Sequence, residues 1–433
     1  MLFAVYAATL GIDAAGGSDY AGDEPHYLLA AASIADGDGI GLAGAYTDRT
    51  WAAWQREPLI SDGEVVGGRL LEPYGVGFPL LIAPAYSLGG PNLVEALLAA
   101  IAALAFVVAA ALARRVVPDP WATWAALLAG LSPPALAYAT AVTPALTAGA
   151  LLAGAALCAL AARERPLMRT AFGGAALLAV LPWLDPWLLV PAAPVAVLLA
   201  RWTARRGRTV VALGTVEVQL ASLVFYVSLN ERLYGGFTPL AVAEEPVTGA
   251  SSLGDYLDRV PRLVSLWLDR DVGVLRWAPV LALAFLGAWL LWRSRRERLG
   301  RLVAEQRDAE HAAFLALAVC AGQVAVAAFA LVSLRALGAG LVPALPCAVP
   351  LVAWGLRHAP RVGWVLGALT MLGSVGLVAS GSWSGSDAPW WPVVGAFPVE
   401  GSGWADAVGV VAAVGVGALL VTELLRRRRE LRL

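Results

Sequence analysis

Residues 22–39 read GDEPHYLLAAASIADGDG. The stretch gathers Asp23, Glu24, His26 and Tyr27, and Asp36 and Asp38 follow one short helix later. It lies within residues 13–74, which hold eleven acids and only three arginines, Arg49, Arg56 and Arg69. The chain beyond this polar island is mostly apolar. Hydrophobic residues make up 59% of its 433 positions and charged residues 15%, well below the ~25% of a soluble domain. Mean hydropathy is +0.70. Apolar runs long enough to cross a hydrocarbon core of ~30 Å as a helix recur along it. The composition therefore reads as a multi-pass membrane protein, a single transmembrane unit over 1–433 carrying polar segments outside the bilayer.

Working outward, spans are read at Leu93–Ala113, Trp121–Thr140, Ala145–Ala162, Thr170–Leu184, Leu188–Arg201 and Thr209–Leu229. A second group comprises Val274–Trp292, Ala312–Leu334, Leu337–Leu356, Val362–Ser380 and Val408–Leu425. Met1–Ile12 is apolar, but twelve helical residues rise only about 18 Å. It lacks the basic start and small-residue cleavage site of a signal peptide, so it reads as a first span missing its N-terminal half. The predicted fold is all-α and polytopic, with about twelve transmembrane helices and in-plane helices on the outer face. Pro73–Gly90, broken by proline and glycine, reads as in-plane or re-entrant, and Leu253–Trp267 as an amphipathic interfacial helix.

Charge placement orients the spans. There is no lysine, and 22 of the 31 arginines fall on connections that are cytoplasmic if both termini are inside. This is the positive-inside pattern. It puts residues 13–90, 230–272 and 381–406 outside the cell membrane. Abundant alanine, glycine and valine with no lysine suggest a GC-rich bacterial genome. Cys158, Cys320 and Cys347 all fall in apolar runs and read as buried free thiols. No phosphate-binding G-x-x-x-x-G-K-[ST] motif is present, and nothing in the charge pattern points to nucleic acid.

Several polar residues suit chemistry. Asp23 can cap the helix that Pro25 opens. Alternatively it serves as a general base at a water-facing cavity, with a carboxylate backed by apolar surface poised to take a proton. Neither reading follows from spacing alone. His26, beside two acids, fits a relay, a metal ligand or a plain polar side chain. Asp36-Gly37-Asp38-Gly39 reads as a helix stop, while a D-x-D pair also suits a divalent cation through oxygen ligands. Asp185, between Trp183 and Trp187, is an ionisable group in or near the membrane. Arg270, Arg276 and Arg335 have the geometry for phosphate, against a reading as interfacial side chains.

The blocks GDEPHYLLAAASIADGDG, PYGVGFPLLIAPAYSLGG (73–90) and LDRDVGVLRWAPVLALAFLG (268–287) resemble those of a bacterial branch of the GT-C superfamily of polyprenyl-phosphate-sugar-dependent glycosyltransferases. The closest likeness is to the protein O-mannosyltransferase and aminoarabinose-transferase group. It covers nearly the whole chain in architecture but only these blocks in sequence. The resemblance implies a GT-C-like core and transfer of a hexosyl or pentosyl unit from a polyprenyl-phosphate donor to an extracytoplasmic glycan, lipid or protein. Catalysis would lie at the outer face of the bacterial inner membrane. Carried over by position, Asp23 is the base and Glu24 its partner or a group that positions the acceptor. His26, Tyr27, Glu72, Tyr74, Asp185, Arg270, Arg276 and Arg335 are candidate substrate contacts, and a divalent ion at Asp36 and Asp38 is optional. The chain lacks a sizeable soluble domain after its last span, so acceptor recognition falls to short loops. A transporter or flippase of lipid-linked intermediates is the rival reading. It is disfavoured because the broken segments have no counterparts in the second half. A non-catalytic membrane scaffold is a third.

Overall fold

Proline and glycine decide which apolar runs stay straight and which break. The structure, a computed structural model, describes residues 1–12, 14, 20–165, 167–205, 208–243, 250, 252–269, 273–298, 306–331, 336–381 and 383. The N-terminal part contains α1 (Leu2–Ala7), α2 (Glu24–Ala35), the short α3 (Ala43–Thr47), and strands β1 (Glu64–Val66) and β2 (Arg69–Leu71). These strands pair antiparallel, with Val66 opposite Arg69. Gly67 and Gly68 form the two-residue turn at φ 59° and 80°, the left-handed conformation that a tight hairpin requires. The all-helical expectation missed this hairpin, although a Gly-Gly pair flanked by apolar residues is its usual signature.

The long α4 (Gly77–Ala113) is two helices joined at a kink, where Gly90 takes φ 63° and ψ −156° just before Pro91. The part after the kink, residues 91–113, is roughly 35 Å long and can cross a membrane, while residues 77–88 reach only about 18 Å. The expected in-plane or re-entrant segment is thus a short helix continuous with the following span.

Three predicted spans are broken. Trp121–Thr140 divides into α5 (Trp121–Gly130) and α6 (Pro133–Thr140), with Ser132 extended ahead of two prolines, because a residue preceding proline avoids the helical region. Val274–Trp292 divides at Ala278-Pro279 into α13 (Val274–Trp277) and α14 (Ala282–Arg298). Leu337–Leu356 starts as a 3₁₀ stretch, Ala336–Ala344, before α16 (Leu345–His358). Side chains meet the backbone groups released at the first two breaks. Ser374 Oγ donates to Leu131 O at 2.6 Å, and Val280 N donates to Thr370 Oγ1 at 3.0 Å. Such repair is required wherever backbone leaves the helical pattern in an apolar environment.

The other helices follow the predicted spans more closely: α7 (Ala145–Glu164), α8 (Met168–Leu184), α9 (Leu189–Arg205), α10 (Thr209–Tyr234), α15 (Gln306–Ala325) and α17 (Pro360–Ser380). The predicted interfacial helix is two pieces, α11 (Leu253–Asp258) and α12 (Arg262–Leu268), interrupted at Pro261. Among the described residues, seven helices are long and apolar enough to cross a membrane, and Met168–Leu184 and Pro279–Arg293 are shorter apolar helices. The predicted span Val408–Leu425 and most of the 381–406 loop lie outside the described residues. Glycine lets α14 and α16 approach closely: a Cβ on Gly287 would meet Leu351 O at 2.0 Å, and one on Gly355 would meet Leu283 O at 2.3 Å. Gly77 lies against the Trp183 carbonyl, where a Cβ would come within 2.2 Å.

Candidate active site

Pro25, in the first turn of α2, needs no amide partner. Asp23 occupies the N-cap, but its side chain makes no capping hydrogen bond. Its carboxylate instead lines a cavity of about 370 Å³, which Asp185 also lines. Asp185 reaches it from the α8–α9 corner. Proline at 186 and an extended backbone at 185 end α8 there, and Asp185 Oδ1 accepts from Trp187 N at 2.8 Å. Tyr27, Tyr74, Trp183 and Tyr226 give the cavity aromatic walls. Two polar atoms of its lining residues, Gln323 Oε1 and Thr143 Oγ1, are buried without a hydrogen-bond partner among the described residues. A buried acceptor or hydroxyl left unpaired costs roughly 1–3 kcal/mol.

Behind this cavity lies a buried polar cluster. His26 Nδ1 stands 2.9 Å from Glu72 Oε1 and 3.2 Å from the Tyr46 hydroxyl, and Nε2 lies 3.5 Å from Asp62 Oδ2. Tyr46 donates to the same Glu72 oxygen, and Tyr74 donates to Asp62. The His26 and Tyr74 rings stack with centroids 5.0 Å apart. Burial by itself lowers the His26 pKa. The hydrogen bond and charge of Glu72, with the charges of Asp62 and Asp23, outweigh it, and the net shift is upward. Burial, with the neighbouring acids, holds the Tyr46 and Tyr74 hydroxyls in their protonated form. The cluster ties the hairpin, flanked by Asp62 and Glu72, onto α2. It thereby fixes Tyr74, the one member that also lines the cavity.

Glu24 goes elsewhere. Consecutive helical positions project about 100° apart, and the Glu24 side chain enters a second cavity of about 390 Å³, lined also by Glu95, Tyr20 and Trp54. Glu24 Oε2 accepts from Val142 N at 2.8 Å. Burial pushes its pKa up to about 7, against the lowering effect of backbone hydrogen bonds from Val142 and Ala21 and with Glu95 and Asp23 adding to the rise.

Of the sequence candidates, Asp23, Tyr27, Tyr74 and Asp185 meet at the first cavity, while His26 and Glu72 stand behind it. Arg276 is half-buried in α13 with its guanidinium 5.7 Å from the Trp277 ring centroid, and it is not among the described residues lining the cavity. Arg270 and Arg335 lie outside the described residues. Asp36 caps the C-terminal end of α2, and both it and Asp38 are exposed, roughly 20 Å along the helix from Asp23. Among the described residues no group of three or more ligating side chains could hold a metal ion. Sequence reasoning missed Tyr46, Asp62, Glu95, Gln323 and Tyr226. Asp62 alone gave a signal, as one more acid in the first polar segment.

No family model matches the chain, and no curated protein matches it. Among solved structures, the crystal structure of ArnT from Cupriavidus metallidurans in the apo state matches with a TM-score of 0.54 and 18% identity, over 98% of this chain and 70% of that one. The crystal structure of the same protein bound to undecaprenyl phosphate matches with a TM-score of 0.54 and 16% identity, over 99% of this chain and 71% of that one. The likeness runs over nearly the whole chain, so the fold is ArnT-like, which supports the GT-C-like resemblance of the sequence blocks.

Proposed function

We propose that this protein is a membrane glycosyltransferase that takes a sugar from a polyprenyl-phosphate donor in the bilayer and gives it to an extracytoplasmic acceptor. The observation that carries this reading is the first cavity. Asp23 and Asp185, 162 positions apart in the sequence, line one aromatic-walled space together with Gln323 and Thr143. The ArnT-like fold supports it, since one of the matching structures holds undecaprenyl phosphate. In this reading Asp23 takes the proton from an acceptor hydroxyl. The acceptor oxygen bonds to the anomeric carbon, the bond from that carbon to the phosphate oxygen breaks, and the electron pair leaves with the polyprenyl phosphate. Asp185, held by the Trp187 amide, orients the sugar or the acceptor. Tyr27 and Tyr74 supply stacking faces for a sugar ring, and His26 and Glu72 hold Tyr74 in place.

The described lining of the cavity contains two carboxylates and no arginine, so the donor phosphate requires cations from outside it. Arg335 falls in sequence between Leu331 and Ala339, both of which line the cavity. It is our first choice for that role, with Arg270 second. We place the active site at the outer face of a bacterial inner membrane with both termini cytoplasmic, on the arginine distribution described above. The sugar is a pentose or a hexose.

The test is transfer from radiolabelled polyprenyl-phosphate sugars in membranes, comparing wild type with Asp23→Asn at equal expression. A positioned base contributes typically 10²–10⁴-fold, so the variant should lose transfer by about that factor while still binding donor. Equal transfer by both proteins would remove Asp23 from the chemistry.

A further inference from the structure

Of the seven described helices long and apolar enough to cross a membrane, the one built on α10 is the least buried. It packs on α8 and α9, and its residues Ala212, Thr215 and Tyr226 are buried. On the opposite side of the helix Val210, Leu213, Glu217, Leu220 and Val224 are all exposed. Their spacing is three, four, three and four residues, which keeps them on one stripe. Four of the five are apolar and suit contact with lipid. Glu217 does not, and among the described residues it has no hydrogen bond or ion pair. It lies about 12 Å past the start of a helix about 39 Å long. A hydrocarbon core of ~30 Å centred on α10 encloses it by roughly 8 Å, and a glutamate side chain is too short to bring its carboxylate to water from there. An ionisable group turned toward lipid at that depth is costly and pairs with another polar group.

The spacing says what kind of surface meets it. A three-four repeat of apolar residues is the seam along which two like helices supercoil, and a single polar residue at one a position of that seam fixes register and the number of chains. Glu217 holds that position, one heptad after Val210 and one before Val224. Lipid covers the apolar members of the seam but gives Glu217 no partner, whereas a second copy of the chain does. Copies inserted in the same orientation meet about a two-fold axis along the membrane normal, which brings the same residue of each to the same depth. A carboxyl and a carboxylate then share one proton in a charge-assisted hydrogen bond, so the pair is self-complementary. Ala221, exposed beside the seam, lets the two backbones come close. We propose that the outer face of α10 is a dimer interface, paired in parallel with α10 of a second copy, with Glu217 opposite its counterpart. The inference is independent of the transferase reading.

Two measurements on the full chain in phospholipid vesicles test this. In the first, a cysteine is added at one position and oxidised with copper phenanthroline. Leu220→Cys and Val224→Cys, on the seam, should give a disulfide-linked dimer. Leu372→Cys and Val375→Cys in α17, 64% and 67% exposed in the parent chain, should give no more than the chain without an added cysteine, which reports the background of Cys158, Cys320 and Cys347. In the second, energy transfer between donor-labelled and acceptor-labelled copies is followed as the protein is diluted in lipid. Glu217→Leu should weaken association about tenfold, the effect of one interhelical hydrogen bond in a membrane. Glu217→Gln, whose amide is also self-complementary, should stay within about threefold of wild type. The crosslinking arm leaves Glu217 in place, so it holds even if Glu217→Leu misfolds. Equal crosslinking on α10 and α17, wild type that stays monomeric at every density, or full association of Glu217→Leu overturns the proposal. A face covered by some other protein or by another part of the same chain would show itself as the monomeric result.

Discussion

Replacing Glu72 by glutamine tests the cluster that holds the hairpin on α2. The change keeps size and one acceptor oxygen but removes the charge facing His26. The side chains of His26 and Glu72 are 6% and 3% exposed, so solvent screens the pair little, and they meet at 2.9 Å. A hydrogen bond to a charged group contributes roughly 1.5–3 kcal/mol. Loss of a whole buried pair costs about 3–5 kcal/mol, but here Asp62 stays at 3.5 Å as an exposed second partner, which favours the lower figure. We expect about 2–3 kcal/mol at pH 6. With an unfolding entropy of about 2 cal/mol/K per residue, this corresponds to a drop of roughly 2–3 °C for a chain of this length. The pH dependence is the sharper part. The folded pKa of His26 lies above its ordinary value, near 6.5 in the unfolded chain. The pair's stabilisation is therefore complete below about pH 6.5 and disappears as pH rises through the folded value. Thermal melts followed by tryptophan fluorescence (the chain has 17 tryptophans) should show the gap between wild type and Glu72→Gln shrinking from pH 6 to pH 9. Asp23, Asp62 and Tyr74 also face His26 and are common to both proteins, whereas Tyr46 donates to Glu72 itself and adds to the gap a part that does not vary with the charge of His26. A gap that stays constant or widens with pH would refute the ion pair as the source of the stability.

Glu24→Gln should act in the opposite direction. The folded pKa of Glu24 is raised from 4.5 to about 7, so the native state loses stability as pH rises between those values, by roughly 3 kcal/mol in all. Melts should find the variant more stable than wild type at pH 8 and no more stable at pH 4. Gly77→Ala would put a Cβ 2.2 Å from Trp183 O. Backbone must shift to relieve it, so the melting temperature should fall by an amount typical of overpacking, about 1–3 kcal/mol, and transfer activity should fall with the displaced cavity wall. Tyr6→Phe deletes a buried hydrogen bond of 2.6 Å to Gly130 O and should cost about 0.5–1.5 kcal/mol, read in the same melts. An unchanged melting temperature would mean that this hydrogen bond adds nothing to stability.

The apolar runs were legible because burial in a bilayer demands length and hydrophobicity, both of which are local properties. Their breaks were less so. Pro133-Pro134 and Pro279 sit inside long apolar stretches, and the chain tolerates them because Ser374 and Thr370, far away in sequence, satisfy the freed backbone groups. No window of sequence contains both halves of that arrangement. The same holds for the site. Asp23 stood out as an acid at a helix start, and Asp185 as an acid between tryptophans. Glu72 and Tyr74 carry no motif that ties them to His26. The pairing arises from a hairpin whose Gly67-Gly68 turn brings Asp62 and Glu72 back to α2 together.

The acidic pair at the head of α2 shows why adjacency in sequence misleads at a helix terminus. Side by side, Asp23 and Glu24 suggest one site with two acids, a base and its partner. A step of one residue turns about 100° around the axis, enough to send the two carboxylates into different cavities. Their surroundings then differ. Asp23 is half-buried at the rim of a space shared with Asp185, whereas Glu24 is 9% exposed and accepts from the Val142 amide. A double substitution would therefore superpose two unrelated effects, loss of a base and relief of a buried charge. The single variants separate them: Asp23→Asn should change transfer with little change in stability, and Glu24→Gln should change stability in a pH-dependent way. If the two single variants gave the same phenotype in both assays, the acids would belong to one site after all, and the division into two cavities would carry no functional meaning.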